Sequence, residues 1–535
     1  MMLMGDMLCR DAKLFSQRVG LIDGGESFTY SELNRRANRL THVLSGLGMK
    51  KGDKIAFMGN NCHQFFEYYF ALAKGGFVSV PVNARFSSDE ASYIINHSES
   101  IVLIFAEELW ETVASMRKTT PGIRGVISTG QEGKGVLSYE KMLSEASDEE
   151  PRQEVKPDDV AMILYTSGAT GLPKGVITTQ RNIMANTNTM VLELRIVPED
   201  ITVLVMPLYH IGGLWPTMSV VYRGGTNILL PHFDLEVMLK TIEERKVTFL
   251  NVVPTMLLRM VSFPNLSTYN LKSLRLVMYA GAPIPLEQLK NAMRILGPHR
   301  FYNSLGCTEA SGNLLSFPTT DHALEGPLSS KLGSVGKDAM GVEISIVDEK
   351  GNELPPKKVG EIIGRGDNIT QGYWKMPGET AEVYRDGWFH TGDIGYRDED
   401  GYVFVVDRKK DIIISGGENV ASREVEEVLY RHPAVREAAV IGVPDEEWGE
   451  AVKAVVALAP ESLSTVRERD LIEFCKARLA GYKKPRSIDL VRELPKNAAG
   501  KIDKAQLKRF YKEKFEKDSE TPKGKDLNIS PNPKS

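Results

Sequence analysis

The run from Tyr165 to Gly175 concentrates residue types that hold phosphate: Thr166, Ser167, Gly168, Ala169, Thr170 and Gly171, followed by Leu172, Pro173, Lys174 and Gly175. Glycines let backbone N–H groups turn onto phosphate oxygens, hydroxyls add donors or a metal contact, and a lysine adds a point charge. The apolar run Val160–Leu164 precedes it, so a strand delivers the chain into the loop. The nucleotide loop that ends in Gly-Lys-Ser/Thr is excluded, because Pro173 precedes Lys174 and Gly175 follows it. A Gly/Ser/Thr cluster alone also fits an ordinary surface turn. Further along stand His210 within Pro207–Gly213, Glu309 after Thr308, Asp393 after Gly392 and Lys501 after Gly500. Taken singly, such a histidine reads as a hydrogen-bonded core residue and such a glutamate as a solvated one.

Taken in series, these segments resemble the adenylate-forming superfamily of acyl-CoA synthetases, peptide-synthetase adenylation domains and firefly-type luciferases, over roughly residues 15 to 510. In the phosphate loop, Ala169 stands where the family has the first threonine of a pair. The resemblance implies that His210 borders an acyl pocket; Trp215 and Gly306 fall in segments that could wall it, and Trp215 fits a plain core position equally well. It implies that Gly281, Ala282 and Pro283 form the turn under adenine, that Thr308 contacts phosphate, and that Glu309 with Thr170 holds Mg²⁺. Asp393 and Arg408 would reach the ribose, and Lys410 is the expected pivot of a C-terminal domain. Ser415, Gly416, Gly417 and Glu418 match the loop that meets the pantetheine arm of coenzyme A, and Lys501 matches the lysine that drives adenylation. Leu305 departs from the pattern, because the family has an aromatic there that stacks on adenine. The loss is about 1 kcal/mol of stacking, so a weaker grip on ATP, or compensation by a neighbour such as Tyr302, is expected.

The activity so implied is an ATP-dependent carboxylic acid–CoA ligase, with ATP, Mg²⁺ and coenzyme A as its small-molecule partners alongside the acid. An acid first attacks the α-phosphate and pyrophosphate leaves. A thiolate then displaces AMP after Lys501 has given way to the Ser415–Val420 loop, an alternation of domains. Pro207–Gly213 holds no acidic residue to pair an amino group, which argues against an amino acid substrate. The segments Ile211–Trp215, Asn251–Thr255 and Asn303–Cys307 are mostly apolar or small and fit a medium- or long-chain fatty acid. Aromatic or alicyclic acids, delivery to a carrier protein, and a nucleotide binder without turnover stay open as alternatives. The cluster Lys483, Lys484 and Arg486 fits either a contact to the 3′-phosphate of coenzyme A or a solvated turn.

The elements that must position these groups are legible as well. Thr29 and Glu32 form a capping box, and Leu33, Ala37, Leu40, Val43, Leu44 and Leu47 then recur at helical spacing. Apolar runs at Lys54–Met58, Phe77–Val82, Val160–Tyr165, Val203–Met206 and Thr248–Val253 alternate with helical patterns, which predicts an α/β protein with largely parallel, buried sheets. After about Gly333, short strands such as Val342–Val347 predict a β-rich subdomain, and beyond Asp407 a compact α+β pattern begins. The expected division is an AMP-binding domain over 1–406, a hinge at 407–411, a small mobile C-terminal domain over 412–511 and a tail over 512–535, a frayed helix end running into disorder.

Bulk properties agree with such an enzyme. At 535 residues, 42% apolar and 25% charged, the chain has the composition of a globular protein of several domains. A net charge of -4 gives no footprint for nucleic acid or an anionic membrane. The four cysteines are dispersed without a Cys-x-x-Cys pair, which fits a reducing compartment. With no signal-like apolar core near the N-terminus and no run long enough to span a bilayer, the cytoplasm is the expected location. The family contains monomers and dimers, and a homodimer stays open.

Overall fold

The computed structural model describes residues 2–133, 135–166, 172–445, 447–497 and 501–520. They fall into two compact units divided after Val405, with Lys501 grouped with the first unit.

The first unit is built on two large sheets. In the seven-stranded sheet the order is Leu137–Ser138, Gly125–Ser128, Ser100–Phe105, Lys54–Gly59, Val78–Asn83, Val160–Thr166 and Lys174–Thr179. Neighbours are parallel except for the last pair, which is antiparallel. Its central strands are buried on both faces, which is why Val78–Val82 and Val102–Phe105 read as unbroken apolar runs rather than alternating ones. The helices between them begin and end on local chemistry. Ser87 and Glu90 cap Ser88–Ser98 reciprocally, and Gly76, at φ +65°, closes His63–Gly75 in the left-handed region.

The nine-stranded sheet runs Lys337–Asp338, Gly312–Phe317, Phe301–Cys307, Leu276–Ala280, Phe249–Val252, Ile201–Leu204, Thr226–Leu229, Val19–Asp23 and Glu26–Thr29. Its six inner strands, from Phe301–Cys307 to Val19–Asp23, are parallel. The predicted capping box is present: the Thr29 N–H donates to Glu32 Oε2 at 2.8 Å and starts the helix Tyr30–Gly46. A third, antiparallel sheet holds Val342–Val347, Gly360–Gly366, Trp388–Arg397 and Tyr384–Arg385. The α/β architecture and the β-rich subdomain are therefore those expected.

The second unit is a small sheet in the order Glu418–Val420, Ile413–Ser415, Gly449–Leu458 and Val435–Asp445, with Ser487–Val491 pairing parallel to Gly449–Leu458. Helices Ser422–Tyr430 and Glu468–Lys476 contribute Val425, Leu429 and Leu471 to one core with Val440, Val456 and Ile488. Two segments show more helix than expected. The last helix spans Lys504–Glu520, so residues 512–520, read as tail, are helical, while 521–535 lie outside the described residues. The N-terminal segment, for which only the lack of a signal-like apolar core was noted, is the helix Met4–Leu14, with Met4, Met7, Leu8 and Asp11 buried along one side. Burial pushes the Asp11 carboxyl up to about 6 against the pull of Arg10. A buried acid inside the apolar stripe is what hides this helix from a hydropathy reading. Among the described residues no helix is long and apolar enough to cross a membrane.

Candidate active site

The phosphate-type segment is carried on a β-hairpin. Strands Val160–Thr166 and Lys174–Thr179 pair antiparallel, with Thr166 opposite Lys174 as the last rung before the loop. Ser167, Gly168, Ala169, Thr170 and Gly171 lie outside the described residues. The chain therefore runs strand–loop–strand, and helix Gln180–Glu193 follows only after the second strand. Behind the hairpin, the Tyr165 ring crosses Gly175, where a Cβ would come within 3.0 Å of Cζ of Tyr165 and 2.8 Å of Cγ2 of Ile163. The hydroxyl of Tyr165 is bonded to Nδ1 of His97 at 2.8 Å, and the Tyr93 hydroxyl donates to the Pro173 carbonyl at 3.2 Å.

The expected acyl wall comes together around one helix start. His210 caps Ile211–Tyr222, its Nδ1 accepting from the Gly212 N–H at 3.0 Å. The proton of the neutral ring therefore sits on Nε2. Burial, with the Lys501 charge a smaller contribution, pushes this imidazole down to about 3. The Asn251 amide donates to the Gly212 carbonyl at 2.9 Å and ties the same turn to strand Phe249–Val252. One helical turn on, the buried Trp215 lies against Gly306, where a Cβ would sit 3.0 Å from its Cη2 and 2.1 Å from the Gly312 carbonyl oxygen. Only glycine fits at that position.

The expected nucleotide groups lie at the ends of neighbouring strands. Gly281, at φ +87°, begins the turn that continues through Ala282 and Pro283 after strand Leu276–Ala280. Cε of Lys501 is 3.0 Å from the place a Cβ on Gly281 would occupy, so any side chain there would displace the lysine. Strand Phe301–Cys307 carries Leu305 and Gly306 and leads into a single 3-10 turn holding the buried Thr308 and the partly exposed Glu309. Leu305 is half-buried opposite Leu315 on the neighbouring strand, at the margin of the apolar cluster that includes Leu314 and Ile344. The suggested compensation by Tyr302 does not hold. Tyr302 is fully buried, its hydroxyl donating to the Glu193 carboxylate and lying 2.6 Å from the Ser316 hydroxyl, which donates to the same carboxylate. Three residues apart in a strand, Tyr302 and Leu305 point in opposite directions. In the third sheet, Asp393 is buried on strand Trp388–Arg397, its N–H donating to the Thr391 hydroxyl at 3.0 Å.

Within the second unit, the exposed Arg408 and Lys410 flank and occupy the short turn Lys409–Asp411, and the Lys410 carbonyl accepts from Nζ of Lys508 at 2.8 Å. Strands Ile413–Ser415 and Glu418–Val420 form a hairpin whose two turn residues are Gly416 (φ +60°) and Gly417 (φ +84°). Both sit in the left-handed region that a two-residue turn of this hand requires. Ser415 is buried and Glu418 exposed at the ends of the turn. Lys483 of the basic cluster is paired with Glu424 at 2.8 Å, and the Arg486 guanidinium lies 4.0 Å over the Trp448 ring.

Sequence reasoning missed the segment Gly372–Trp374. It docks on the second hairpin strand, with the Trp374 N–H donating to the Gly175 carbonyl at 2.7 Å and the Ile177 N–H to the Gly372 carbonyl at 2.9 Å. Tyr373 then reaches Glu309, its hydroxyl donating to Oε1 at 2.9 Å. The signal available was Gly372 before two aromatics, and glycine is required there because a Cβ would meet Cγ2 of Thr380 at 2.4 Å.

The family model for the AMP-binding enzyme matches residues 8–374, and that for the AMP-binding enzyme C-terminal domain matches 424–501. The chain belongs to the AMP-binding enzyme family, within the adenylate-forming superfamily. Among individual relatives, it is 37% identical over 510 residues to a feruloyl-CoA synthase from Amycolatopsis sp, covering 95% of this chain and 99% of the relative. It is 33% identical over 489 residues to a long-chain-fatty-acid–CoA ligase of Mycobacterium tuberculosis, covering 90% and 93%. The crystal structure of ATP-bound MatB from Rhodopseudomonas palustris superposes with a TM-score of 0.86 at 30% identity, covering 96% of this chain and all (100%) of that one.

Proposed function

We propose that the protein is an AMP-forming acid–CoA ligase. It joins a carboxylic acid to the α-phosphate of ATP with release of pyrophosphate, then transfers the acyl group to the thiol of coenzyme A with release of AMP. The observation that carries this reading is the placement of Lys501 against the Gly281 turn, with its charge acting on His210. A carboxylate approaching an α-phosphate brings two anions together, and a cation between the nucleotide turn and the acyl wall stabilises their encounter.

In this reading Thr166, the glycine-rich loop and Lys174 hold the β- and γ-phosphates, Thr308 contacts phosphate, and Asp393 with Arg408 holds the ribose. Neutral at working pH, His210 lends its ring to the acyl wall rather than a charge. The turn Gly416–Gly417, without side chains, lets backbone approach the pantetheine arm, and Lys410 is the pivot that exchanges Lys501 for that turn between the two steps.

Mg²⁺ fits the residues present. Oε1 of Glu309 is taken by Tyr373, and Oε2 has no hydrogen-bond partner among the described residues. No group of three His, Cys, Asp or Glu gathers anywhere among them. One carboxylate with substrate phosphates and water is how this ion is usually held, rather than in an all-protein cage. Glu309, with Thr170, would hold it, and when bound it supplies neutralising charge to the phosphates.

For the acid, a fatty acyl chain against the apolar wall of Trp215 and Ile211 is the first reading. An aromatic acid is the second, supported by the 37% identity to a feruloyl-CoA synthase. Purified protein given ATP, Mg²⁺, coenzyme A and a panel from acetate through palmitate to benzoate and ferulate tests both, with AMP and thioester followed by mass. Thioester with one group of acids supports the ligase and names the class. AMP without thioester moves the reading to a carrier-protein acceptor, and no pyrophosphate with any acid moves it to a nucleotide binder.

A further inference from the structure

Lys174, assigned above to the phosphates of ATP, and Glu309, assigned to Mg²⁺, come from segments far apart in sequence, and a single side chain spans them. Tyr373 is 8% exposed. Its hydroxyl donates to Oε1 of Glu309 at 2.9 Å, and Nζ of Lys174 lies 5.2 Å from the centroid of its ring. Its backbone is fixed from both directions. Gly372 and Trp374 are bonded to the strand that carries Lys174, Tyr373 bridges Val176, and the Tyr373 N–H donates to the Thr380 hydroxyl at 3.0 Å. Trp374 extends the same attachment, its indole N–H donating to the His97 carbonyl at 3.1 Å on the helix whose His97 and Tyr93 hold the hairpin from behind. The backbone of Glu309 is held too, its carbonyl accepting from the Thr370 N–H at 2.9 Å.

We infer that Tyr373 is a positioning residue that sets the Glu309 carboxylate at a fixed distance from Lys174, so that one oxygen is oriented and the other is presented to the ion. The inference rests on the assignment of Glu309 made above. A flexible glutamate would otherwise spend rotamer freedom each time it engaged, and a phenol pinned on the phosphate hairpin removes that freedom beforehand. Because the ring also offers its face to the Lys174 ammonium, a displacement of the hairpin is passed to the carboxylate through one rigid plane.

The test is calorimetric binding of ATP, with and without Mg²⁺, to the full chain and to Tyr373→Phe, which keeps the ring and deletes only the donor. A hydrogen bond to a charged acceptor corresponds to roughly a tenfold or greater change in an equilibrium constant. The expected result is that the gain in ATP affinity on adding Mg²⁺ falls about tenfold in Tyr373→Phe, while Mg²⁺-free affinity stays as it is. In a Glu309→Gln background the same substitution is expected to change nothing further. An unaltered Mg²⁺ gain in Tyr373→Phe, or an equal loss in the Glu309→Gln background, overturns the inference. A chain that shows the expected binding pattern yet releases no pyrophosphate with any acid would overturn the ligase reading and leave this one standing.

Discussion

Two histidines in the first unit, His322 fully buried and His210 half-buried, have opposite prospects for chemistry. At His322 both ring nitrogens are spoken for: Nδ1 donates to the Pro318 carbonyl at 2.9 Å and Nε2 accepts from the Tyr279 hydroxyl at 3.0 Å. Its ring is packed by Phe317 and Phe301, and burial, first among its causes, lowers its basicity to about 4. At His210 one nitrogen caps a helix, while the protonated Nε2 makes no hydrogen bond to a described residue. Burial again lowers the basicity, to about 3, and here a lysine charge adds to it. Both rings stay neutral across the working range, so the difference is not one of charge. It lies in whether a polar group remains that the fold itself does not consume. The first region is scaffold and the second is an available surface, and the following experiments press on that distinction.

The largest effect is expected at the lysine that distinguishes the two. Lys501→Ala is predicted to slow acyl-AMP formation by about 10²- to 10³-fold, to leave thioester formation from supplied acyl-AMP largely intact, and to leave the melting temperature unchanged. Equal loss in both half-reactions would contradict the division of labour. Next comes the scaffold side. His322→Ala strands the Tyr279 hydroxyl in a fully buried site and is predicted to cost about 2–4 kcal/mol of stability, read by denaturant titration, with kcat/KM unchanged below the transition. If turnover fell first, His322 would not be scaffold.

A smaller effect separates the two jobs of His210. His210→Asn keeps an acceptor for the Gly212 N–H, whereas His210→Ala loses it and gives up about 1 kcal/mol of helix capping. Both are expected to raise KM for the acid by about tenfold at most, since they alter contact area with the acyl group rather than a charged interaction. Only the alanine variant should melt earlier. The smallest effect concerns a third histidine. His63 lies 3.0 Å from Asp23 and near Glu140; against burial, which lowers its basicity, these two carboxylates hold it up to about 9. A raised folded-state value means the stabilisation is complete below the unfolded value of about 6.5 and is lost as pH rises through about 9. Melting curves between pH 7 and 10 should fall for the unaltered chain and flatten for His63→Gln.

How much of this was legible in sequence can be argued from particular residues. The Thr29–Glu32 box and the apolar runs marked helices and strands because capping and double-sided burial act locally. The Tyr165–Gly175 segment could be singled out because glycines and hydroxyls need no partner to be recognised, while residues 167–171 lie outside the described residues. What escaped depends on distance or direction. Tyr373 meets Glu309 across 64 positions of sequence, and no local pattern encodes that. The capping role of His210 was invisible because histidine is not among the residues that usually start helices. Tyr302 was proposed as a stand-in for the missing aromatic at Leu305, and strand parity sends it into the core instead. The helix Met4–Leu14 was missed because Asp11 interrupts its apolar stripe while remaining buried within it.

The most direct test of the central claim is exchange of labelled pyrophosphate into ATP, measured with an accepted acid and no coenzyme A. A two-step ligase predicts exchange that requires the acid, proceeds without coenzyme A, and falls about 10²- to 10³-fold in Lys501→Ala. Exchange that appears only when coenzyme A is present, or that runs equally well without any acid, would contradict an acyl-AMP intermediate formed at this site.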